Sequence, residues 1–430
     1  MRAPWNGPAA SRGRLPALAA GCLLAVAAAV AAPVAASAQT DAAGPLGATV
    51  EGLLAAGRRL SPQLRAAALE REAAAARAEA AGALEDPVLS ENYQRYRSGG
   101  LFDMHFVTLT QNFPLWGKRD LRQQAALAEV DAARGRERAA RDELDEQIKV
   151  AYARYHAFTR ALAINREIAG LARQARTAAT ARYGQGGGDQ AGAILALTEE
   201  ANVAADAARL EAERASAAAR LNALLARPAS APLAAPRRLR PVPQAGPAPE
   251  VLLDRARAAN PTLFAGAAEI RAARTQSRLA DRAWYPDLSV SAGPILQTNA
   301  PTGFTATVAL SIPLQREAKR AGEREAAARL GAARQRFDAA VAGIQGALGE
   351  ALARLEAARR IEGLLRRQTL PQARAAHRAM LAGYGQGRGD LAAVLASERR
   401  LQEVNLELLR VETDAQAALA AIERLIGGEL

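Results

Sequence analysis

The chain has 430 residues and is rich in alanine, with 50% hydrophobic residues but only 4% aromatic ones. Because alanine favours helices and has little volume, this composition predicts long, closely packed helices rather than a thick globular core. The net charge is +12, but the positive residues are scattered, and no basic block interleaved with aromatics indicates a nucleic-acid partner.

The first 38 residues predict a secretory signal peptide. Arg12 and Arg14 precede an apolar run, and Ala36-Ser37-Ala38 forms a small-x-small cleavage site before Gln39. Two alternatives stay open, an uncleaved membrane anchor and lipidation at Cys22, the only cysteine. Beyond residue 40, no apolar stretch of about 18 residues or more predicts a transmembrane helix.

The remainder of the chain is a tandem duplication. Matched positions lie 199 residues apart (261 − 62) near the start of each repeat and 201 apart (390 − 189) near the glycine-rich turns. The matched pairs are Ser61-Pro62 with Asn260-Pro261, Leu89-Ser90 with Leu288-Ser289, Pro114-Leu115 with Pro313-Leu314, Tyr183 with Tyr384, and Asp189 with Asp390. This register predicts a first repeat at 39–227, a proline-rich linker at 228–249 and a second repeat at 250–430.

Each repeat begins with a predicted helical segment followed by two strands. The helical segments span about 46–84 and 250–283, and Ser61-Pro62 and Asn260-Pro261 supply an N-cap residue followed by proline. Period-two alternation predicts strands at about 88–96, 105–115, 288–296 and 305–314. Glu91 and Arg95 interrupt the alternation in the first of these strands.

A long helical hairpin then completes each repeat. Apolar residues recur at intervals of four and three over 118–181 and 317–382 and again after the turns, which predicts antiparallel coiled coils. The turns at about 183–189 and 384–390 form the hairpin tips, about 100 Å from the strands. There, Gly184 and Gly385 end the outgoing helices, since glycine tolerates the left-handed conformation, and Asp189 and Asp390 take the N-cap positions of the returning helices. Both turns contain the motif Tyr-Gly-Gln-Gly-x-Gly-Asp. The alternative is that this motif has no function beyond turning the chain.

Aromatic residues cluster in and beside the predicted strands, as they do at the lipid–water interfaces of membrane barrels. They are Tyr93, Tyr96, Phe102, Phe106, Phe113, Trp116, Trp284, Tyr285 and Phe304. Because four strands cannot close a barrel and open edges are not tolerated in hydrocarbon, a membrane role requires several copies, and three copies would supply twelve strands. A small soluble sheet that caps the coiled coil is the alternative.

Three segments occur in the same order in both repeats, after the signal peptide. They resemble the corresponding segments of the TolC-like outer-membrane factor family. They are SPQLRAAALEREAAAARAEAAGALEDPVLS with NPTLFAGAAEIRAARTQSRLADRAWYPDLS, QNFPLWGKRDLR with LSIPLQREAKRAGE, and ARYGQGGGDQAGAIL with AGYGQGRGDLAAVL. The resemblance implies a mainly α fold with a small β part, in which long antiparallel coiled-coil hairpins accompany four strands per chain. It further implies a homotrimer whose 12-stranded β-barrel sits in the lipid of a Gram-negative outer membrane and continues as a helical tunnel across the periplasm.

The same resemblance implies a passive exit duct of a tripartite efflux or type I secretion system. A periplasmic adaptor protein would dock at the tips and link the duct to an inner-membrane pump of the RND or ABC type. The matching tip residues are Tyr183, Gly184, Gly186, Asp189, Tyr384, Gly385, Gly387 and Asp390. Asp390 would form a threefold pore constriction, although Ala393 replaces a further acidic residue of some relatives and Arg182 and Arg388 lie nearby.

Enzymatic interpretations have little support in the sequence. His105, His156 and His377 fall on different predicted elements, and no nucleophile elbow or nucleotide-binding motif occurs. We therefore predict no catalytic activity, cofactor or metal. Two alternative functions stay open, a soluble periplasmic coiled-coil scaffold and a periplasmic hydrolase or metal binder, which would require a clustered site.

Overall fold

The computed structural model describes residues 46–97, 101–185, 190–243, 246–297 and 301–430. The predicted signal peptide, with Cys22 and the cleavage site before Gln39, lies outside these ranges, as do Gly186 and Asp189 of the first tip. Over the described ranges, every helix is too short or too polar to span a bilayer.

Helices make up most of the described chain, and each repeat contributes two strands. The helices are α1 (Val50–Leu60), α2 (Pro62–Ala81), α3 (Lys118–Gly184), α4 (Gln190–Leu224), α5 (Pro249–Ala259), α6 (Pro261–Asp281), α7 (Arg316–Leu364), α8 (Leu370–Gly385) and α9 (Leu391–Ile426). The strands are β1 (Val88–Arg97), β2 (Leu101–Phe113), β3 (Leu288–Gln297) and β4 (Gly303–Leu310). A 3₁₀ turn (Arg282–Trp284) precedes β3, and a π turn (Leu365–Thr369) separates α7 from α8.

The two helix starts that precede proline are built differently. Asn260 caps α6, since its Oδ1 accepts hydrogen bonds from the backbone N–H groups of Thr262 (2.8 Å) and Leu263 (3.1 Å). Ser61, the predicted N-cap of α2, makes no such side-chain bond. Only its backbone carbonyl accepts a bond, from the N–H of Arg65 (3.3 Å). Proline at the first helical position has no N–H, so one donor fewer needs a cap at either start.

The four strands form one antiparallel sheet in the order β1-β2-β3-β4. The register pairs Leu109 with Ala292 and Val290 with Val308, which places the apolar residues of the alternating pattern on one face. The other face of β3 and β4 carries Ser289, Ser291, Thr305 and Thr307. The β2–β3 pair joins the two repeats. β4 ends at Leu310, before the predicted limit near 314. The N–H of Ser311 still bonds to the carbonyl of Asp287 (2.9 Å), but Pro313 beyond it has no N–H to continue the ladder.

Each repeat has its own core on its helical hairpin. In the first, residues of α1, α3 and α4 such as Leu53, Ile148 and Leu221 are fully buried together. In the second, α5, α7 and α9 form the equivalent cluster around Leu355 and Ile422. The short helix at the start of each repeat therefore covers the apolar seam of the hairpin that follows.

The outgoing helices of the two hairpins differ. In the first repeat α3 runs for 67 residues without interruption. In the second, α7 (49 residues) passes through the π turn into α8 (16 residues), with Pro371 in the first turn of α8. π turns accommodate insertions within α-helices. This one lies in the stretch over which the separation between matched residues grows from 199 (313 − 114) to 201 (384 − 183).

Candidate functional site

The tip of the second hairpin is a glycine turn between α8 and α9. The N–H of Gly387 bonds to the carbonyl of Tyr384 (3.0 Å), and the N–H of Arg388 bonds to that of Gly383 (3.0 Å). Gly387 has a φ of +78°, the left-handed region that favours glycine. The left-handed residue is thus Gly387 and not Gly385, which the sequence predicts for this role, because α8 leaves its helical path gradually through Gln386.

Asp390 begins the returning helix as its N-cap. Its Oδ1 accepts a hydrogen bond from the N–H of Ala392 (3.2 Å), and its side chain is exposed. A Cβ added to Gly389 would lie 3.1 Å from the backbone nitrogen of Tyr384, so the turn is closely packed beside the cap. One carboxylate oxygen of Asp390 therefore bonds its own helix, while the negative charge stays at the surface.

The matched tyrosines of the two tips lie in different surroundings. Tyr384 is only 6% exposed and packs with Ala175, Ala179 and Leu391, so it joins the second hairpin to the first. The guanidinium of Arg182 lies 4.8 Å from its ring centre. Tyr183 is 49% exposed, and Gly184 ends α3 without a left-handed φ. At the first tip, therefore, the tyrosine that the sequence predicts is presented at the surface.

Two buried glutamates, Glu199 and Glu398, lie about two helical turns from the tip. Arg399 donates from Nε to Glu199 (3.0 Å), and this bridge joins α9 to α4. The neighbouring Glu398 is 1% exposed, and neither of its carboxylate oxygens has a hydrogen-bond partner among the described residues. Burial is the main cause, and repulsion from Glu199 the second, that raises the pKa of Glu398 to about 7. Our sequence reasoning missed it, although a glutamate on the apolar stripe that includes Leu391 and Leu395 was a detectable signal.

The base of the sheet is held by Asp287. Its carboxylate accepts hydrogen bonds from Nζ of Lys118 (2.8 Å to each oxygen) and from the N–H of Leu115 (3.1 Å). Lys118 also donates to the carbonyl of Tyr285 (2.9 Å) and is almost fully buried. The ion pair ties the first residue of α3 to the residue before β3, so it fixes where the first repeat leaves the sheet and where the second enters it. The partners are far apart in sequence, which no local pattern reveals.

The predicted interface aromatics fall into two groups. Trp116, Trp284 and Tyr285 lie at the helical end of the sheet together with Phe113. The Trp116 ring lies 5.2 Å from that of Tyr285, and its Nε1 donates to the carbonyl of Pro286 (2.8 Å). Away from that end are Tyr93, Phe106 and Phe304, the last of which is 73% exposed at the start of β4. The side chains of Tyr96 and Phe102 lie outside the described part of the structure.

The polar residues that interrupt β1 are paired across to β2. Arg95 bonds Asp103 (2.7 Å), which also accepts from the hydroxyl of Tyr93 (2.9 Å). Glu91 lies 2.8 Å from Nδ1 of His105. In the part of the chain that the structure describes, no group of three or more His, Cys, Asp or Glu side chains could hold a metal ion.

Comparisons with known proteins agree with this architecture. The family model described as "Outer membrane efflux protein" matches residues 54–227 and 252–428. A search of curated proteins finds no match. Among solved structures, the outer-membrane channel OprN is 19% identical with a TM-score of 0.78, covering 88% of this chain and 90% of its own. The outer membrane protein VceC from Vibrio cholerae is 20% identical with a TM-score of 0.75, covering 88% and 96%. The open-state MtrE channel of Neisseria gonorrhoeae is 18% identical with a TM-score of 0.74, covering 88% and 89%.

Proposed function

The chain belongs to the outer membrane efflux protein family, and from this premise we propose that it is one subunit of a homotrimeric exit duct. It is an outer-membrane efflux channel of a Gram-negative bacterium, with a TolC-like fold and a transport role rather than an enzymatic one. The homotrimer, the docking of an adaptor and the coupling to a pump are proposed here.

The single observation that carries the trimer is a sheet with two open edges, whose β3 and β4 strands have an apolar face. Among the described residues, β1 and β4 each pair on one side only. Phe304, Val308 and Leu310 of the apolar face are largely exposed. Since hydrocarbon does not tolerate unpaired strand edges, we assign β4 of one copy to pair with β1 of the next, which closes a barrel of twelve strands.

The position of the paired charges of β1 and β2 also supports a sheet that spans the membrane. Arg95 and Asp103 lie near the loop between the two strands, and charged residues cost less near the surface of a membrane than at its centre. Their mutual pairing further reduces the cost of facing lipid. Trp116, Trp284 and Tyr285 would then form the interfacial belt at the periplasmic side, with Tyr93 and Phe304 toward the opposite side.

The tips are the proposed docking surface for the periplasmic adaptor. Exposed Tyr183 with Gly184, Gly186 and Asp189 would belong to one part of this surface. Gly385, Gly387 and Asp390 would form the other, while buried Tyr384 holds the hairpins together. Three copies of Asp390 would place a ring of negative charge at the constriction, with Arg388 close by. An RND or ABC pump in the inner membrane would supply the energy through the adaptor.

The experiment that tests the barrel compares charge on the two faces at neighbouring positions. Val308→Arg places a cation on the proposed lipid face and should cost about 2–4 kcal/mol per chain near the centre of the bilayer. Thr307→Arg places the same cation on the opposite face, toward the proposed lumen. We expect wild type and Thr307→Arg to be extracted from outer membranes with the mass of three chains by native mass spectrometry, and Val308→Arg to be depleted.

Equal assembly of both variants would contradict the assignment of the faces. A wild-type protein that remains a monomer or dimer outside the membrane fraction would contradict the trimer itself. In that case the sheet would be a cap on a soluble scaffold.

A further inference from the structure

A cleft of about 700 Å³ lies where the linker meets helices of both repeats. Its walls come from α3, linker residues 237–243, α7, the π turn and α9. Six arginines line it, namely Arg237, Arg238, Arg240, Arg359, Arg366 and Arg367, against two glutamates, Glu362 and Glu412. The cleft therefore carries a concentrated positive charge, far from both the tips and the sheet.

The acidic residues of the cleft do not neutralise it. Arg366 bridges both glutamates, donating from Nε to Glu362 (2.8 Å) and from Nη2 to Glu412. Arg240 pairs with Glu423 (2.8 Å), which also accepts from Lys149. The other four arginines of the cleft form no ion pair within the ranges that the structure describes.

Hydrogen-bond donors without partners concentrate in this cleft. Nε and Nη2 of Arg359, Nη2 of Arg240 and Nδ1 of His156 are buried, and none has a hydrogen-bond partner in the described part of the chain. Burial and the charge of Arg160 lower the pKa of His156, so its neutral ring carries one N–H, and Nδ1 is the donor in one of its two tautomers. Because buried donors are nearly always paired, donors that converge on one cationic cleft indicate an acceptor ligand.

The π turn arranges two of the cleft's guanidinium groups. It carries Arg366 and Arg367, and π turns are frequent at functional sites. Nη2 of Arg367 lies 2.7 Å from where a Cβ on Gly363 would be, so Arg367 folds back along α7 over Gly363, and an alanine there would push the guanidinium aside. The uninterrupted α3 of the first repeat has no equivalent turn.

We propose that this cleft binds a multiply charged oxyanion, a ligand bearing phosphate or several carboxylates. Guanidinium groups match such oxygens with two parallel N–H donors each. Arg359 and Arg240 supply the buried donors, Arg367 closes over the ligand, and His156 contributes one neutral N–H. A bound anion would join the linker to both repeats.

The test measures binding of sodium pyrophosphate and of sodium citrate to the full mature protein in detergent, by titration calorimetry. Sodium chloride at matched ionic strength is the blank. We expect saturable binding to wild type, weakened at least tenfold in Arg359→Gln. Arg360→Gln is the matched control, because Arg360 is the next residue on α7, is 76% exposed in its side chain, pairs with Glu356 and does not line the cleft. It should change the affinity less than twofold. The tighter of the two probes identifies phosphate or carboxylate as the ligand chemistry.

Two further variants protect the test from a folding defect. Arg359→Lys keeps the charge but loses the planar fork, and Gly363→Ala displaces Arg367 without removing any charge. Each should weaken binding severalfold with an unchanged circular dichroism spectrum. The proposal is overturned if wild type binds no probe beyond the chloride blank or if Arg360→Gln loses as much affinity as Arg359→Gln. It is also overturned if Arg359→Gln leaves probe binding intact but dissociates the oligomer, since the donors would then serve carboxylates of a second copy.

Discussion

The two tips carry the same Tyr-Gly-Gln-Gly-x-Gly-Asp motif, but the tyrosine of the second tip is buried and that of the first is half exposed. Tyr384 is buried against α3, where Ala175 and Ala179 leave room for its ring. Tyr183, at the matched position, has no such cover. The difference arises because α9 packs against α3, so the second hairpin lies over the small residues of the first. The same local motif thus places its tyrosine in different surroundings, depending on the helix packed beside it.

The largest effect should come from truncating the two tyrosines. Tyr384→Ala removes a buried aromatic ring and should destabilise the tip by about 3 kcal/mol. Tyr183→Ala removes a half-exposed ring and should cost less than about 1 kcal/mol. Hydrogen exchange of the α8 and α9 amides, measured on the trimer in detergent, reports the local opening energy. If the two variants lowered the opening free energy equally, the two tyrosines would be equivalent in solution, which would contradict the difference between the tips.

The next effect concerns Glu398, whose matched residue in the first repeat is Leu197 (398 − 201), exposed by 53%. The folded pKa of Glu398 is about 7 against an ordinary 4.5, so the folded state binds more protons than the unfolded state between these values. Stability should therefore fall as pH rises from about 4.5 to 7, by about 3 kcal/mol in total, and then level off.

Two variants isolate this carboxyl. Glu398→Gln should abolish that fall and make the α9 amides exchange more slowly at pH 8. Leu197→Glu adds a carboxyl at the exposed matched position and should leave the pH profile unchanged. A Glu398→Gln profile that keeps the wild-type slope would assign the pH dependence to other groups.

The smallest effect separates the two roles of Asp390. Asp390→Asn keeps an N-cap oxygen and should change tip stability by only a few tenths of a kcal/mol, whereas Asp390→Ala should cost about 1 kcal/mol. If the charge also lines the pore, both variants should weaken cation preference in planar-bilayer recordings to the same extent. Unchanged selectivity in both would leave Asp390 as a helix cap alone.

Sequence patterns predicted those features that depend on neighbours along the chain. The alternation around Val308 gave the apolar face of β4, and the intervals of four and three around Ile148 gave the buried seam of α3. Features that depend on contacts between distant segments were missed. Lys118 meets Asp287 only because the two repeats share a sheet, and Glu398 is buried only because the hairpins pack together. The left-handed glycine is Gly387 and not the predicted Gly385, because the turn has glycines at alternate positions and each of them permits that backbone conformation equally.

The pairing of β2 with β3 has a consequence for how the chain is made. Leu115 and its acceptor Asp287 are separated by 172 residues, and both the α3–α4 hairpin and the linker lie between them. During synthesis and export, the β1–β2 segment emerges long before the strand that completes its pairing. Contacts of such long range form slowly, and unpaired apolar strands aggregate. The first half of every new chain must therefore be kept from self-association until the second half has crossed the inner membrane.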